Sequence, residues 1–235
     1  MSTAPILLEV IATTLSDAQA AARAGADRIE LATGLSEGGL TPSIGLIEAV
    51  TAALPIPVNV IVRSHGRGFV YTPEEMAILE RDTRAAVAAG AAGIVFGALN
   101  GHGDIDTAAL ARIADAAGGK PITFHRAFDV SRDLNAAFDL LLNTPAVKTV
   151  LTSGGHPSAL DGRETIARLV RRAQGGTCQV LAGAGLKVES IGDFVRATGV
   201  RAVHLGSGVR ERGEVWGPVE GRLVAKVRAT LDAVR

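Results

Sequence analysis

The sequence contains a single cysteine, Cys178, among its 235 residues. One thiol cannot form an intramolecular disulfide, and it cannot build a metal site from several thiolates of one chain. The N-terminus lacks the basic start and apolar run of a signal peptide, and no apolar stretch is long enough to span a bilayer. We therefore expect a cytoplasmic protein.

Neither sign of charge predominates in the chain. It contains 24 Lys and Arg residues and 24 Asp and Glu residues, without a long basic run. This balance argues against nucleic acid or an anionic membrane as a partner, and leaves a small molecule or a metal ion as the expected ligand. Aromatic residues make up only 3% of the chain, whereas hydrophobic residues make up 47%, so small side chains must form most of the core.

Short runs rich in Val, Ile and Leu alternate with longer amphipathic stretches along the whole chain. The predicted strands are Ile6–Ile11, Arg28–Ala32, Val58–Arg63, Gly93–Gly97, Ile122–Arg126, Lys148–Thr152, Gln179–Ala182 and Arg201–Leu205. The predicted helices are Leu15–Ala24, Ile44–Ala53, Pro73–Ala89, Thr107–Ala117, Leu134–Leu142, Arg163–Arg172, Val188–Ala197 and Val219–Val234. Unbroken strand–helix units over residues 1–235 predict a single-domain (β/α)₈ TIM barrel. An open doubly wound sheet is the alternative, but the first strand lacks the glycine-rich phosphate fingerprint of that fold.

Residues at the helix ends support these assignments. Ser16 and Thr72 are the predicted N-caps, and Thr72 precedes a proline at the first helical position. Glycines that suit a left-handed cap follow four helices, at Gly25, Gly90, Gly118 and Gly199.

The alternation of side chains along a strand sorts the polar residues of the predicted barrel. One face of each strand must be apolar because it meets the helices, so the charged residues on the strands face inward. This reasoning places five ionisable residues inside the barrel: Glu9, Glu30, Arg63, His125 and His204. Either glutamate could form a buried salt bridge with Arg63, but the whole group exceeds what a core requires, so we predict a functional site at the C-terminal ends of the strands.

Glycine-containing turns follow the last three strands. In this fold, backbone N–H groups after strands seven and eight often hold an anion. We therefore predict anion-binding groups in these turns, although the glycines could also serve only to turn the chain. The predicted residues are Ser153, Gly154, Gly183, Gly185, Gly206 and Ser207.

Other loops allow less specific predictions. Ser43 can cap the helix that follows the Glu37–Ser43 loop, and the loop from Ser64 to Thr72 is either a lid or a subunit contact. His102 and His156 lie in glycine-rich loops and are expected to be exposed. Trp216 is expected in packing or in an interface.

Several segments resemble the CutC family in order along the chain. They are LLEV at Leu7–Val10, GADRIEL at Gly25–Leu31, EGGLTPS at Glu37–Ser43, TFHRAFD at Thr123–Asp129, VLTSGG at Val150–Gly155, AGAG at Ala182–Gly185 and VH at Val203–His204. The resemblance implies a cytoplasmic (β/α)₈ barrel, often a homo-oligomer, with a role in copper homeostasis. By position it also implies a site made of Glu9, Glu30, Arg63, His125, Arg126, Asp129 and His204.

The chain departs from the family pattern at its cysteines and in one loop. Ala32 stands where a cysteine is expected after Glu30-Leu31, and Ile11 and Ala12 replace cysteines expected after Glu9. The family's RPRGGDF corresponds to Arg63–Phe69 but lacks the second Arg and the Asp. A thiolate site for Cu(I) is therefore not expected, whereas His and Glu side chains suit Cu(II), Zn²⁺ or another divalent ion.

Three hypotheses for function follow. The first is a CutC-type protein that handles copper or another metal. The second is an enzyme acting on a small anionic or sugar-derived substrate, as a lyase, isomerase or hydrolase. There a glutamate or His125 would be the base, Arg63 or Arg126 would hold an oxygen, and His204 would be the acid. The third is an interaction protein that retains a vestigial site.

Overall fold

The computed structural model describes residues 5–234 as one closed barrel of eight parallel strands. The strands are β1 (Leu7–Ala12), β2 (Arg28–Leu31), β3 (Val58–Ile61), β4 (Gly93–Phe96), β5 (Ile122–Phe124), β6 (Val147–Thr152), β7 (Gln179–Ala182) and β8 (Ala202–Leu205). The helices are α1 (Leu15–Arg23), α2 (Ile44–Ala53), α3 (Pro73–Ala88), α4 (Thr107–Ala116), α5 (Leu134–Leu142), α6 (Arg163–Ala173), α7 (Ile191–Thr198) and α8 (Gly221–Ala233). The predicted TIM barrel is confirmed, and closure between β1 and β8 excludes the open sheet.

The two faces of the strands separate as the alternation predicts. Val58, Val60 and Val62 belong to the large core between strands and helices. Ile61 instead packs inside the barrel with Ile11, Ala32 and Val95. A second apolar group inside the barrel joins Leu7 to residues of β6, β7 and β8. The charged inward residues of β1, β2 and β8 lie between these two groups.

The helix caps confirm most of the sequence assignments and correct one. Thr72 forms a full capping box with Glu75, and Ser43 accepts from the Leu46 N–H. Ser16, however, is not the cap of α1: the Thr14 side chain accepts from the Asp17 N–H at 3.0 Å, because the helix begins at Leu15, two residues earlier than a cap at Ser16 would require. The four glycines predicted as helix stops all have positive φ.

Two predicted boundaries shift where loops form their own hydrogen bonds. Helix α7 begins at Ile191 rather than at Val188, because residues 187–190 form a turn closed by the Ser190 side chain. Strand β5 ends at Phe124, and His125 caps a short 3₁₀ helix over Arg126–Val130. This early end brings the polar residues of that segment over the C-terminal end of the barrel. Over residues 5–234, no helix is long and apolar enough to cross a membrane.

Candidate functional site

An acid–histidine cluster lies inside the barrel on three neighbouring strands. The strand register aligns Glu9 of β1 with His204 of β8, and the Glu9 Oε1 lies 2.7 Å from the His204 Nδ1. Glu30 on β2 completes the group: one potential ligand atom from each residue lies within 4.8 Å of the others. Glu9 is fully buried and Glu30 is 3% exposed.

Arg28, which was not among the predicted site residues, neutralises Glu9. Its Nε lies 2.5 Å from the Glu9 Oε2, so Glu9 is held between a guanidinium and an imidazole. The salt bridge considered between a glutamate and Arg63 does not form, because Arg63 is bound elsewhere. The signal for Arg28 was present in the sequence, since Arg28 and Glu30 lie two positions apart and so face the same side of β2.

Burial and neighbouring charges separate the proton affinities of the three groups. Burial raises the pKa of Glu9, but Arg28 and His204 outweigh it and hold that pKa below its ordinary value. Burial raises the pKa of Glu30 to about 7, and the Glu9 charge adds to this effect. Burial lowers the pKa of His204, yet the carboxylates of Glu30 and Glu9 raise it above its usual value. The cluster can therefore hold or release a proton near neutral pH.

Arg63 lies under the loop that follows β2. Its Nη1 donates to the carbonyls of Glu37 at 2.7 Å and Gly39 at 3.2 Å, and its guanidinium lies 4.9 Å from the Phe69 ring centre. Gly38 has a φ of +83°, and a Cβ there would lie 3.0 Å from the Arg63 Nη1. The glycines of this loop therefore let its backbone close over the arginine, which is 5% exposed.

His125 lies beside Arg63 as an uncharged, buried ring. Burial lowers the pKa of His125 to about 3, and the positive charge of Arg63 contributes. Its Nδ1 accepts from the Ala127 N–H, so the proton of the neutral ring belongs on Nε2, which has no partner among residues 5–234. Gly97 makes room for this ring, because a Cβ there would lie 2.5 Å from the His125 Nδ1. His125 thus offers a buried donor to a ligand.

Arg126 and Asp129 form a network with the turn after β6. The Asp129 carboxylate accepts from the backbone N–H groups of Ser153 and Gly155, and the Arg126 Nε donates to it at 2.9 Å. The Gly154 N–H is also taken, by the Thr152 hydroxyl. A carboxylate of the chain itself therefore occupies the place where a ligand anion was predicted beside Ser153 and Gly154.

The turn after β7 has one backbone N–H that is already engaged within the chain. The Gly183 N–H donates to the Thr152 carbonyl. Anion binding by Gly185, Gly206 and Ser207 stays a prediction.

The predicted site residues thus form three groups. Glu9, Glu30 and His204 lie together in the barrel, Arg63 and His125 lie beside Phe69, and Arg126 and Asp129 lie with Ser153. The loop from Ser64 to Thr72 supplies Phe69, whose ring centre lies 5.0 Å from that of His125. This loop therefore covers the second group, which favours the lid over the subunit contact.

The remaining sequence predictions concern residues outside these groups. His102 and His156 are exposed, as expected. Trp216 is 73% exposed, so it does not pack within this chain, and its place in an interface stays a prediction. Cys178 is buried just before β7, at the N-terminal end of the barrel strands. Burial raises the pKa of its thiol to about 11. It supplies no thiolate to the acid–histidine cluster.

A metal ion would have only nitrogen and oxygen donors in this barrel. Glu9, Glu30 and His204 are the one group within residues 5–234 in which three such ligands converge. The Glu30 Oε2 is buried and has no hydrogen-bond partner in this part of the chain, so it can accept a cation. Glu9 already binds Arg28 and His204, so its bonds must rearrange when it binds an ion.

A single-domain (β/α)₈ barrel with an ionisable cluster inside its strands defines the class of this protein. The CutC family profile matches residues 6–209. The chain therefore belongs to the CutC family.

Curated relatives of similar length support this assignment. The chain is 40% identical over 198 residues to the copper homeostasis protein cutC homolog of Homo sapiens, covering 84% of this chain and 72% of that protein. It is 38% identical over 204 residues to a CutC family protein of Agrobacterium fabrum, covering 87% of this chain and 80% of that protein.

Solved structures agree with the fold. The CutC protein of Streptococcus agalactiae aligns with a TM-score of 0.79 at 31% identity, covering 85% of this chain and 97% of that one. The N-(5'-phosphoribosyl)anthranilate isomerase of Pyrococcus furiosus aligns with a TM-score of 0.64 at 14% identity, covering 97% of this chain and all of that one, and shows the fold alone.

Proposed function

We propose that this protein takes part in copper homeostasis, as the name of its human relative says, and that it binds divalent copper at Glu9, Glu30 and His204. The observation that carries the proposal is the convergence of these three ligands within 4.8 Å in the barrel interior. Imidazole and carboxylate suit Cu(II), whereas Cu(I) prefers sulfur. Cys178, the sole cysteine, lies just before β7 and is not one of these ligands.

The unpartnered Glu30 Oε2 supports this assignment. A buried polar atom without a partner is costly, so a cation that binds it gains an interaction the protein otherwise lacks. In this proposal, the copper ion is the cargo that the protein carries. The cytoplasmic location, the homo-oligomer and the absence of nucleic acid and membrane partners remain predictions that go with it.

Calorimetry with Cu²⁺ on protein made without an affinity tag tests the proposal, with elemental analysis as a second measure. We expect one equivalent of copper in the wild type and none in the Glu30→Gln variant. His156→Gln is the matched control, because it removes an exposed imidazole and leaves the cluster intact. Absence of stoichiometric copper in the wild type, or equal loss in both variants, would contradict the proposal.

A second candidate, an enzyme acting on a small anionic or sugar-derived molecule, is favoured by His125. Its buried Nε2 lacks a partner in the described chain, and the Arg63 guanidinium lies near it under the same Phe69 ring. An uncharged imidazole can donate a hydrogen bond to a developing oxyanion without surrendering its proton. Glu30 or His204 would then exchange the proton with the substrate.

A thermal-shift screen of carboxylates and sugar phosphates separates this candidate from the first. We expect at least one compound of the screen to raise the melting temperature of the wild type and of His102→Gln but not that of His125→Gln. Copper binding without any such ligand would leave only the first function. Equal responses of the His125 and His102 variants would remove His125 from the site.

A further inference from the structure

Among residues 5–234, a large cavity lies at the N-terminal end of the barrel, opposite the loop from Ser64 to Thr72. Its volume is about 1350 Å³, and it is lined by residues at or just before the N-terminal ends of the strands and by the C-terminal parts of α6, α7 and α8. Active sites of this fold lie at the C-terminal end, and the interior is normally filled by bulky branched side chains. An open cavity at the N-terminal end therefore needs its own explanation.

Polar side chains replace the expected apolar packing on the wall of this cavity. Asn59, Thr123 and Thr149 face into the barrel on β3, β5 and β6, and they are 5%, 2% and 3% exposed. None of the three makes a side-chain hydrogen bond with any residue between 5 and 234. The polar atoms of these three side chains border the open cavity, so water or a ligand that enters it can bind them.

The charges around the cavity favour an anion. Arg28, Lys148 and Arg201 all line it, and Arg28 and Arg201 each have one buried guanidinium nitrogen without an acceptor in the described chain. The acidic residue on the same wall, Asp27, is already engaged by Arg228 and by the Leu8 N–H. The cavity therefore has the charges of Lys148 and Arg201 and a free guanidinium N–H of Arg28, whose charge is already paired with Glu9, beside hydroxyl and amide groups without a partner in the described chain.

We propose that this cavity is a second binding site, for a small hydroxylated anion such as a sugar phosphate. The cationic groups of Lys148, Arg201 and Arg28 receive the anionic group. The side chains of Asn59, Thr123 and Thr149 bind the hydroxyl groups of the ligand. Because Arg28 also binds Glu9, an occupied cavity would contact the acid–histidine cluster through one shared side chain.

Titration calorimetry with ribose 5-phosphate, inorganic phosphate and neutral ribose tests the site. We expect saturable binding of ribose 5-phosphate, and binding of ribose that is weaker by at least about tenfold, since a charge-assisted hydrogen bond contributes roughly 1.5–3 kcal/mol. The Thr123→Val, Thr149→Val double variant should weaken ribose 5-phosphate binding by roughly tenfold or more. It should melt at or above the wild-type temperature, because neither hydroxyl has a bond to lose within the described chain.

His102→Gln removes an exposed imidazole outside both sites; it is the control and should bind ribose 5-phosphate as the wild type does, whereas His125→Gln reports on binding at the opposite end of the barrel. Copper binding at Glu9, Glu30 and His204 is measured separately, so failure of one site leaves the other standing. The proposal is overturned if neither ribose 5-phosphate nor inorganic phosphate binds saturably. It is equally overturned if the His125 variant loses binding while the double threonine variant keeps it.

Discussion

At the scale of single residues, Glu30 determines how the protein responds to pH. It is a buried carboxyl group whose neighbours include the charged Glu9, and its folded-state pKa of about 7 lies above the ordinary 4.5. The folded protein therefore favours the protonated form. The stability that this form contributes is complete below about pH 4.5 and is lost as pH rises through 7.

We predict that Glu30→Gln makes the metal-free protein more stable at pH 8 and little different at pH 4.5. The difference between the two pKa values corresponds to roughly 3 kcal/mol. Urea denaturation at both pH values measures the change. Glu48→Gln, on the exposed side of α2, is the control and should leave stability unchanged at both. A loss of stability at pH 8 in the Glu30 variant would show that its carboxylate is favoured in the fold.

Arg28 illustrates the asymmetric cost of a buried ion pair. Removing one partner leaves the other charge buried and uncompensated, whereas removing both can be nearly neutral. We predict that Arg28→Met destabilises the protein by about 3–5 kcal/mol and that adding Glu9→Gln recovers much of the loss. Chemical denaturation of the two single variants and the double variant measures the coupling. Additive losses would mean that the two side chains do not interact.

At the scale of elements, a helix cap is set by backbone geometry that the pattern of residue types does not encode. Thr14 and Ser16 are both suitable N-caps, and their hydroxyl oxygens lie 3.0 Å apart. Only Thr14 accepts from the Asp17 N–H. The choice depends on the exact residue at which the chain leaves β1, and sequence spacing leaves that uncertain by a residue or two.

We therefore predict that Thr14→Ala costs about 1 kcal/mol of stability and that Ser16→Ala costs a few tenths. The pair is a matched comparison, because each variant removes one hydroxyl from the same turn. The shift in denaturation midpoint at constant slope measures both. If Ser16→Ala proved the more damaging of the two, the start of α1 would be misplaced.

The loops contain a buried ion pair that the sequence analysis did not predict. Asp17 and Arg210 are 4% and 2% exposed and lie 3.1 Å apart, and Arg210 also donates to the carbonyls of Ile11 and Gly217. This pair ties the loop after β8 to α1. The two residues are far apart in sequence, and neither lies on a predicted strand, so inward or outward alternation could not identify them.

At the scale of the whole molecule, the alternation of strands and helices was sufficient to predict the barrel. Alternation along each strand also placed Glu9, Glu30 and His204 inside, because a charged side chain cannot face the apolar helix layer. The alternation could not predict how deep each charged side chain lies in the barrel or which residue it binds. Arg63 faces inward as predicted, but the carbonyls of a glycine-rich loop bind it, and Arg28 pairs with Glu9 instead.

The cavity at the N-terminal end of the barrel also could not be predicted from the alternation of side chains along the strands. Asn59 and Thr123 face inward as the alternation predicts, yet a sequence pattern does not show whether an inward polar residue finds a partner or borders empty space. That distinction requires the positions of all strands together. It is also the distinction on which the proposed second ligand site depends.

The central claim is that the fold raises the pKa of one buried histidine, His204, and lowers the pKa of another, His125. An NMR titration of ¹⁵N-labelled histidine rings tests it directly. The account predicts that His204 keeps its proton above pH 6.5, held by Glu9 and Glu30, and that His125 stays uncharged down to about pH 3. If His125 and His204 instead titrated together near pH 6.5, neither buried environment would exist as described.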